Sequence, residues 1–243
     1  MSKEIKRICL WSSPRNVSTA LMYSFAQRGD TTVVDEPLYG YFLKESGVDH
    51  PGKEEIISTM ECNFEQLISN KLLGEYPTPI VFFKHMTHHM VGDISSEFMG
   101  SMCNLFFIRN PKLILSSYAK VIEKPTLNDI GIRLQKQYLD IAKAKNYSYA
   151  VLDSAELLKN PDKLLAKLCD ILEIPFEKKM LAWMAGARKE DGIWAKYWYA
   201  NVHQSNGFEK YEEKEIILPK PLEKIYQEAK PYYDYLIKHA LKI

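Results

Sequence analysis

Several side chains in this sequence have the type and spacing to hold an anion. The run Ser12-Ser13-Pro14-Arg15-Asn16-Val17-Ser18-Thr19 follows an apolar stretch and leads into helical spacing of Val17, Leu21 and Phe25. Such a loop can turn successive backbone N–H groups inward, and the helix N-terminus adds partial positive charge, so phosphate or sulfate is attracted. Against the nucleotide-phosphate pattern GxxxxGK[ST], the length fits, but Ser12 and Val17 hold the glycine positions and Ser18 the lysine position. That lysine normally reaches the β- and γ-phosphates, so its absence speaks against ATP or GTP hydrolysis. What remains is a hydroxyl-rich anion loop with one internal cation, Arg15; the same residues would also make an ordinary capped strand–helix turn.

Further candidates lie where other apolar runs end. Arg109 follows residues 104–108 and Ser117 lies eight residues on; arginine's planar fork gives paired, charge-assisted hydrogen bonds to phosphate oxygens. Glu36, in Asp35-Glu36-Pro37, follows a β-branched run and is the preferred general base. Lys84-His85 follows residues 79–83, with Lys84 a second candidate cation for a leaving oxygen and His85 a competing base; His88 and His89 come next. A histidine shifted by one residue on a strand turns to the opposite face. The three histidines lack partners at ligand spacing, so no metal is expected. Tyr39, Tyr41 and Phe42 after the candidate base, and Trp194, Tyr197, Trp198 and Tyr199 further on, would line an apolar or cationic acceptor site or simply form core.

The elements that must position these residues alternate along the chain. Strands are expected at residues 7–11, 31–34, 79–83, 104–108 and 148–152, and the unalternating apolar character of 79–83 and 104–108 suits burial on both faces. Helices are expected at 17–27, 112–122, 127–145, 161–172 and 222–241, the last kinked or split by Pro231. The pattern predicts an α/β fold, a three-layer P-loop-like domain whose central, mainly parallel sheet is covered by helices on both faces. Residues 1–243 read as one such domain with a helical C-terminal part. Ligands in such sheets sit at the carboxyl ends of strands, where Ser12 to Thr19, Glu36, Lys84 to His89 and Arg109 all fall.

The loop and the later Arg109-Asn110-Pro111-Lys112 with Ser116-Ser117-Tyr118 together resemble the PAPS-dependent sulfotransferases (PAPS is 3′-phosphoadenosine 5′-phosphosulfate). Their 5′-phosphosulfate loop has the form Thr-Tyr-Pro-Lys-Ser-Gly-Thr-Thr-Trp. Here Pro14 matches, Arg15 stands for the lysine, Ser18 and Thr19 stand for the hydroxyl pair, and Val17 departs from the glycine. By the resemblance Ser12, Ser13, Arg15, Asn16, Val17, Ser18 and Thr19 would hold the phosphosulfate, and Arg109 and Ser117 the 3′-phosphate. Ser154 stands where many members carry a tyrosine near the adenine. Gly207, in Ser205-Asn206-Gly207-Phe208, would belong to a loop folding over the nucleotide, or to a plain surface turn. The implied activity is transfer of the sulfuryl group from PAPS to a hydroxyl or amine of a small-molecule acceptor, leaving adenosine 3′,5′-bisphosphate and needing no metal.

Composition narrows the classes. Lys+Arg (32) and Asp+Glu (31) nearly balance over 243 residues, so no global field favours nucleic acid or an anionic membrane, and anion binding must be built locally. Four scattered cysteines, Cys9, Cys62, Cys103 and Cys169, read as free thiols, and the charged start is followed by an apolar run too short for a signal peptide. A reducing cytoplasm is the expected location. No feature bears on the oligomeric state. Two rivals remain: a P-loop nucleotide kinase or NTPase, and a non-catalytic nucleotide- or partner-binding relative of the same fold.

Overall fold

A computed structural model describes residues 5–213 and 215–243. Strands β1 (Lys6–Ser12), β2 (Thr31–Asp35), β3 (Ile80–Met86), β4 (Cys103–Ile108) and β5 (Tyr149–Asp153) form one sheet, ordered β2-β3-β1-β4-β5, with every pairing parallel. The helices are α1 (Ser18–Ala26), α2 (Tyr39–Ser46), α3 (Lys53–Thr59), α4 (Phe64–Gln66, running on into a π-helical stretch, Leu67–Leu72) and α5 (Pro111–Tyr118). They continue with α6 (Ile132–Ala144), α7 (Ser154–Lys159), α8 (Pro161–Ile171), α9 (Ala195–Trp198) and α10 (Lys220–Leu236).

The middles of the strands are apolar on both sides because both faces of the sheet are covered. Ile8, Leu10, Phe82, Leu105, Phe107 and Leu152 pack in one core with Leu21, Met22 and Phe25 of α1 and Leu165 and Leu168 of α8. Their alternates Cys9, Trp11, Val81, Phe83, Phe106 and Val151 pack in a second core with Leu115 of α5, Leu139 of α6 and Ala229 and Leu236 of α10. Each large apolar side chain removed from water contributes about 1.5–3 kcal/mol, so the two faces together fix the register.

β1 lies between β3 and β4, and the chain passes from the β3 side to the β4 side of it. This reversal opens a crevice at the carboxyl end of β1. Gln135 of α6, fully buried, closes the sheet beneath it by donating to the carbonyls of Trp11 at 2.8 Å and Phe107 at 3.1 Å.

Four boundaries differ from expectation. β3 continues through Lys84, His85 and Met86 because those residues pair in register with Leu10, Trp11 and Ser12. The helix expected over 112–122, with Pro111 as its first residue, ends already at Tyr118. The one expected over 127–145 starts only at Ile132, since Gly131 before it is left-handed (φ 65°). Finally, α10 runs uninterrupted through Pro231. A proline removes one helix hydrogen bond; here it sits on the exposed side while Ala229 and Leu236 are fully buried.

Candidate active site

The loop from β1 to α1 is fastened rather than free. The Asn16 side chain donates to the Phe107 carbonyl of β4 at 2.9 Å and accepts from the Val17 N–H at 2.9 Å. Val17, at the expected glycine position, turns its side chain into the core beneath α1. Ser12, Ser13, Ser18 and Thr19 are all buried, and Thr87 donates to the Ser12 carbonyl at 3.1 Å. α1 begins at Ser18 with no side-chain cap, and the buried Ser13 hydroxyl has no partner among the described residues. Arg15 adopts a left-handed backbone (φ 55°), a conformation costing a non-glycine residue about 1–2 kcal/mol.

That strained turn brings three predicted residues together. Arg15 Nε donates to Ser117 Oγ of α5 at 3.1 Å, and Arg109 Nη1 donates to the Arg15 carbonyl at 2.5 Å. Burial, and then the positive charge of Arg15, push the Arg109 guanidinium's pKa down. The arginine ion pairs of the described residues belong to Arg28 and Arg188; neither Arg15 nor Arg109 has a carboxylate partner among them. Two half-buried, mutually repelling cations beside an uncapped helix start are arranged to take up an anion.

Glu36 stands across β1, at the end of β2, also left-handed (φ 37°). Its N–H donates to the Lys84 carbonyl at 2.8 Å, extending the β2–β3 ladder by one residue. Lys84 is fully buried and donates to Glu36 Oε1 at 2.6 Å, Asp35 Oδ1 at 2.8 Å and the Tyr199 hydroxyl at 2.5 Å. Tyr199 in turn donates to Asp35 Oδ2 at 2.7 Å, which also accepts from the Gly192 N–H at 3.2 Å. Burial raises the Glu36 carboxyl's pKa, with Lys84 opposing and Asp35 adding to the rise. Burial lowers the pKa of Lys84, but the two carboxylates outweigh it and leave the pKa raised.

The lysine's ammonium, expected as a second candidate cation, is thus held by Asp35, Glu36 and Tyr199. His85 is also placed differently from the expected base. It lies on the opposite face of β3 from Lys84, its ring stacked on Trp11 (4.6 Å, 17°) with Nε2 3.5 Å from the Cys9 sulfur. Burial, then Lys84, force its pKa down to about 3. His89 does approach Glu36, with Nε2 4.0 Å from Oε2. Among the described residues no group of three or more His, Cys, Asp or Glu side chains is placed to hold a metal ion.

Gly207 forms an isolated antiparallel bridge with Ala182, and a Cβ there would meet the Leu181 carbonyl at 3.0 Å. Phe208 packs edge-on against Trp183 (5.1 Å), so this loop is anchored to the α1–α8 side. Ser154 is buried in the first turn of α7, below the Asp153 cap that accepts from Ala155 and Glu156. The aromatic residues divide: Tyr39, Phe42, Trp194 and Tyr199 form a third buried cluster beside Glu36, Tyr41 joins the core near α5 and α6, and Tyr197 is exposed.

The sequence reading assigned no role to Asp35 or Tyr118, and took Tyr199 only as an acceptor-site or core aromatic. An Asp-Glu pair facing a lysine on the neighbouring strand was a usable signal once β3 was extended to Met86. Tyr199 arrives from 163 residues away, and no local pattern announces it. Tyr118, beside Ser117, is buried between Asp129, Glu36 and Arg15; burial and the two carboxylates raise its pKa.

A family model for the sulfotransferase domain matches residues 6–240. The chain belongs to this family. Its sheet and flanking helices superpose on the sulfotransferase domain from the curacin biosynthetic pathway with a TM-score of 0.56 at 16% identity, covering 94% of this chain and 99% of that one. A sulfotransferase from Alicyclobacillus acidocaldarius superposes with a TM-score of 0.55 at 11% identity, covering 97% of each chain. These likenesses establish a shared α/β fold. In sequence the sulfotransferase domain is 40% identical, over 231 residues, to the Arabidopsis thaliana branched-chain-amino-acid aminotransferase-like protein 1, covering 95% of this chain and 41% of that protein. The second such protein of that plant is 39% identical over 230 residues, with the same 41% share. The chain thus spans about two fifths of the length of the curated relatives it matches.

Proposed function

We propose that this sulfotransferase domain binds PAPS across the β1–α1 loop and the start of α5, and transfers its sulfuryl group to a hydroxyl or amine of a small-molecule acceptor. The single observation behind this reading is the convergence of Arg15, Arg109 and Ser117, with hydrogen bonds of 3.1 Å and 2.5 Å and no carboxylate partner for either arginine among the described residues. The donor, when bound, supplies an activated sulfuryl group on a bisphosphate leaving group. Ser13, Ser18, Thr19 and the first N–H groups of α1 suit the 5′ side, with Arg15 as the cation beside it. Arg109 and Ser117 suit the 3′-phosphate that distinguishes PAPS from ATP. As in phosphoryl transfer, positioning and electrostatics carry such a reaction.

Glu36 is the general base in this reading. Its Oε1 is pinned by Lys84 and its Oε2 is left to face the acceptor side. Lys84, Asp35 and Tyr199 are positioning residues that hold that carboxylate. The free thiols Cys9, Cys62, Cys103 and Cys169 fit a reducing cytoplasm. The P-loop kinase or NTPase alternative lacks the loop lysine. The test is to incubate the protein with PAPS and a panel of hydroxyl and amine acceptors, following adenosine 3′,5′-bisphosphate release and sulfated product by mass spectrometry. Product formation on any acceptor is expected; nucleotide binding without product across the panel would favour a non-catalytic binder.

A further inference from the structure

Residues 182–207 form a loop that is closed at its neck. Ala182 and Gly207 make the antiparallel bridge, the Trp183 N–H donates to the Asn206 carbonyl at 3.1 Å, and the Gly186 N–H donates to the His203 carbonyl at 2.7 Å. A loop whose ends are joined and which is packed by its own side chains docks as one unit. This one docks in two places. On one side three of its residues grip Tyr23 of α1, which is fully buried. Asp191 Oδ1 accepts from the Tyr23 hydroxyl at 2.6 Å, the Arg188 guanidinium lies over the ring (5.1 Å), and Trp183 meets it edge-on (6.1 Å). On the other side the Gly192 N–H and the Tyr199 hydroxyl donate to Asp35 Oδ2 at 3.2 Å and 2.7 Å.

The two docking points meet in one dipeptide, Asp191-Gly192. The Asp191 side chain is 5% exposed, and its Oδ2 accepts from the Arg188 N–H at 2.8 Å and lies 2.9 Å from His203 Nε2. Gly192 has no room for a larger residue, because a Cβ there would overlap the Trp194 indole. Its bare backbone is what brings an N–H to Asp35. The consequence for Glu36 is electrostatic. Asp35 and Glu36 share the single ammonium of Lys84, and the loop brings Asp35 two further donors. With Asp35 satisfied in this way, the ammonium keeps its 2.6 Å bond to Glu36 Oε1, and the repulsion between neighbouring carboxylates is eased. Tyr23 lies one turn beyond Ser18 and Thr19 on α1. The same dipeptide therefore joins the helix that opens on the anion loop to the pair of carboxylates.

We propose that Asp191 is a positioning residue that couples the two sides of the site: by holding the 182–207 loop to Tyr23 it seats Gly192 and Tyr199 on Asp35 and fixes Glu36 relative to the anion loop. Its effect on transfer rests on the reading above. The test uses the full chain, Asp191→Asn, and Tyr23→Phe, which removes one oxygen and keeps the buried ring. Both variants are expected to lower kcat about ten- to hundred-fold, the scale of a displaced catalytic group, with adenosine 3′,5′-bisphosphate affinity unchanged. Burial is the main cause of the raised Glu36 pKa. Water admitted by a loosened loop should therefore move the acid limb of the rate–pH profile to lower pH, which a loss of stability alone would not do. The double variant should be no slower than the slower single one, since two partners of one bond act as a unit. Hydrogen exchange reads the tie without turnover. The Glu36 N–H, which donates to the Lys84 carbonyl, is expected to exchange at least about ten-fold faster in both variants, with β4 at the wild-type rate. For Tyr23→Phe, the milder change, unaltered exchange at Glu36, exchange accelerated equally in β4, or an unchanged kcat and acid limb would each overturn the proposal. A wild type that neither binds adenosine 3′,5′-bisphosphate nor turns over any acceptor would overturn the transfer reading instead, with exchange still deciding whether Asp191 ties the loop.

Discussion

The ammonium of Lys84 lies 2.6 Å from Oε1 of Glu36, where two adjacent carboxylates meet a fully buried cation. Glu36 follows the last residue of β2 and Lys84 lies within β3, and the register fixes the contact, since Asp35 pairs with Lys84 across the two strands. The lysine holds one oxygen of the Glu36 carboxylate, and in the proposed function the other is the one that takes the acceptor's proton. Removing one partner from a buried ion pair leaves an uncompensated charge, which costs about 3–5 kcal/mol. Lys84→Met is expected to lower stability by that amount in urea denaturation, and a change below about 1 kcal/mol would mean that the cluster is not the buried ion group described.

Glu36→Gln keeps the shape of the side chain and removes its basicity. Transfer is expected to fall about 10²–10⁴-fold, the usual contribution of a positioned general base, with nucleotide affinity unchanged. Because burial raises the Glu36 carboxyl's pKa, the proton persists above the ordinary carboxylate range, and the wild-type rate should climb with pH as it leaves. The same raised pKa means stability from this group declines as pH rises from the unfolded carboxylate value through the folded one. Rate–pH profiles of both proteins check this; an acid limb unchanged in Glu36→Gln would remove Glu36 from the role.

The buried histidines predict a second pH effect of opposite direction. His85 and His88 are driven down to about 3, mainly by burial. Their folded pKa lies below the unfolded one, so the unfolded chain binds more protons between about pH 3 and 6.5, and stability is lost as pH falls through that window. Each contributes about 1.4 kcal/mol per pH unit there. Melts at pH 7.5 and 5.5 should differ sharply, and His85→Phe, which preserves the stack on Trp11, should shallow the slope. A pH-independent melting temperature would contradict the buried neutral imidazoles.

In the proposed function Arg109 would carry the distinction between 3′-phosphorylated and ordinary nucleotides. Arg109→Met is expected to weaken adenosine 3′,5′-bisphosphate by about 1.5–3 kcal/mol, the range for a hydrogen bond to a charged group, and to change ADP affinity little. Competition binding reads both; an equal loss for the two nucleotides would place Arg109 away from the 3′-phosphate.

The sheet was legible because its strands are short apolar runs between helical patterns, and residues such as Cys9, Phe82 and Phe107 are buried on both sides of it. The anion loop was legible because its residues are contiguous from Ser12 to Thr19. The cluster around Glu36 was only half visible. Glu36 and Lys84 stood at strand ends, but their bond depends on β3 running three residues past Phe83. His85 followed the period-two rule on that longer strand and turned into the core. The Tyr199 bond to Lys84 and the ring contacts of His50 and His89 come from long-range packing of loops without local periodicity, and a linear pattern carries no trace of them. At Pro231 tertiary burial outweighed a local breaker.

The central claim, a 3′-phosphorylated nucleotide held by Arg15, Arg109 and Ser117, is tested most directly by thermal shift. A ligand at a hundred times its Kd adds about 2.7 kcal/mol to the folded state, which for a domain of this size is a rise of roughly 5–10 °C in Tm. Adenosine 3′,5′-bisphosphate is predicted to produce such a rise while ATP–Mg²⁺ produces little. An equal or larger rise with ATP–Mg²⁺ would contradict it.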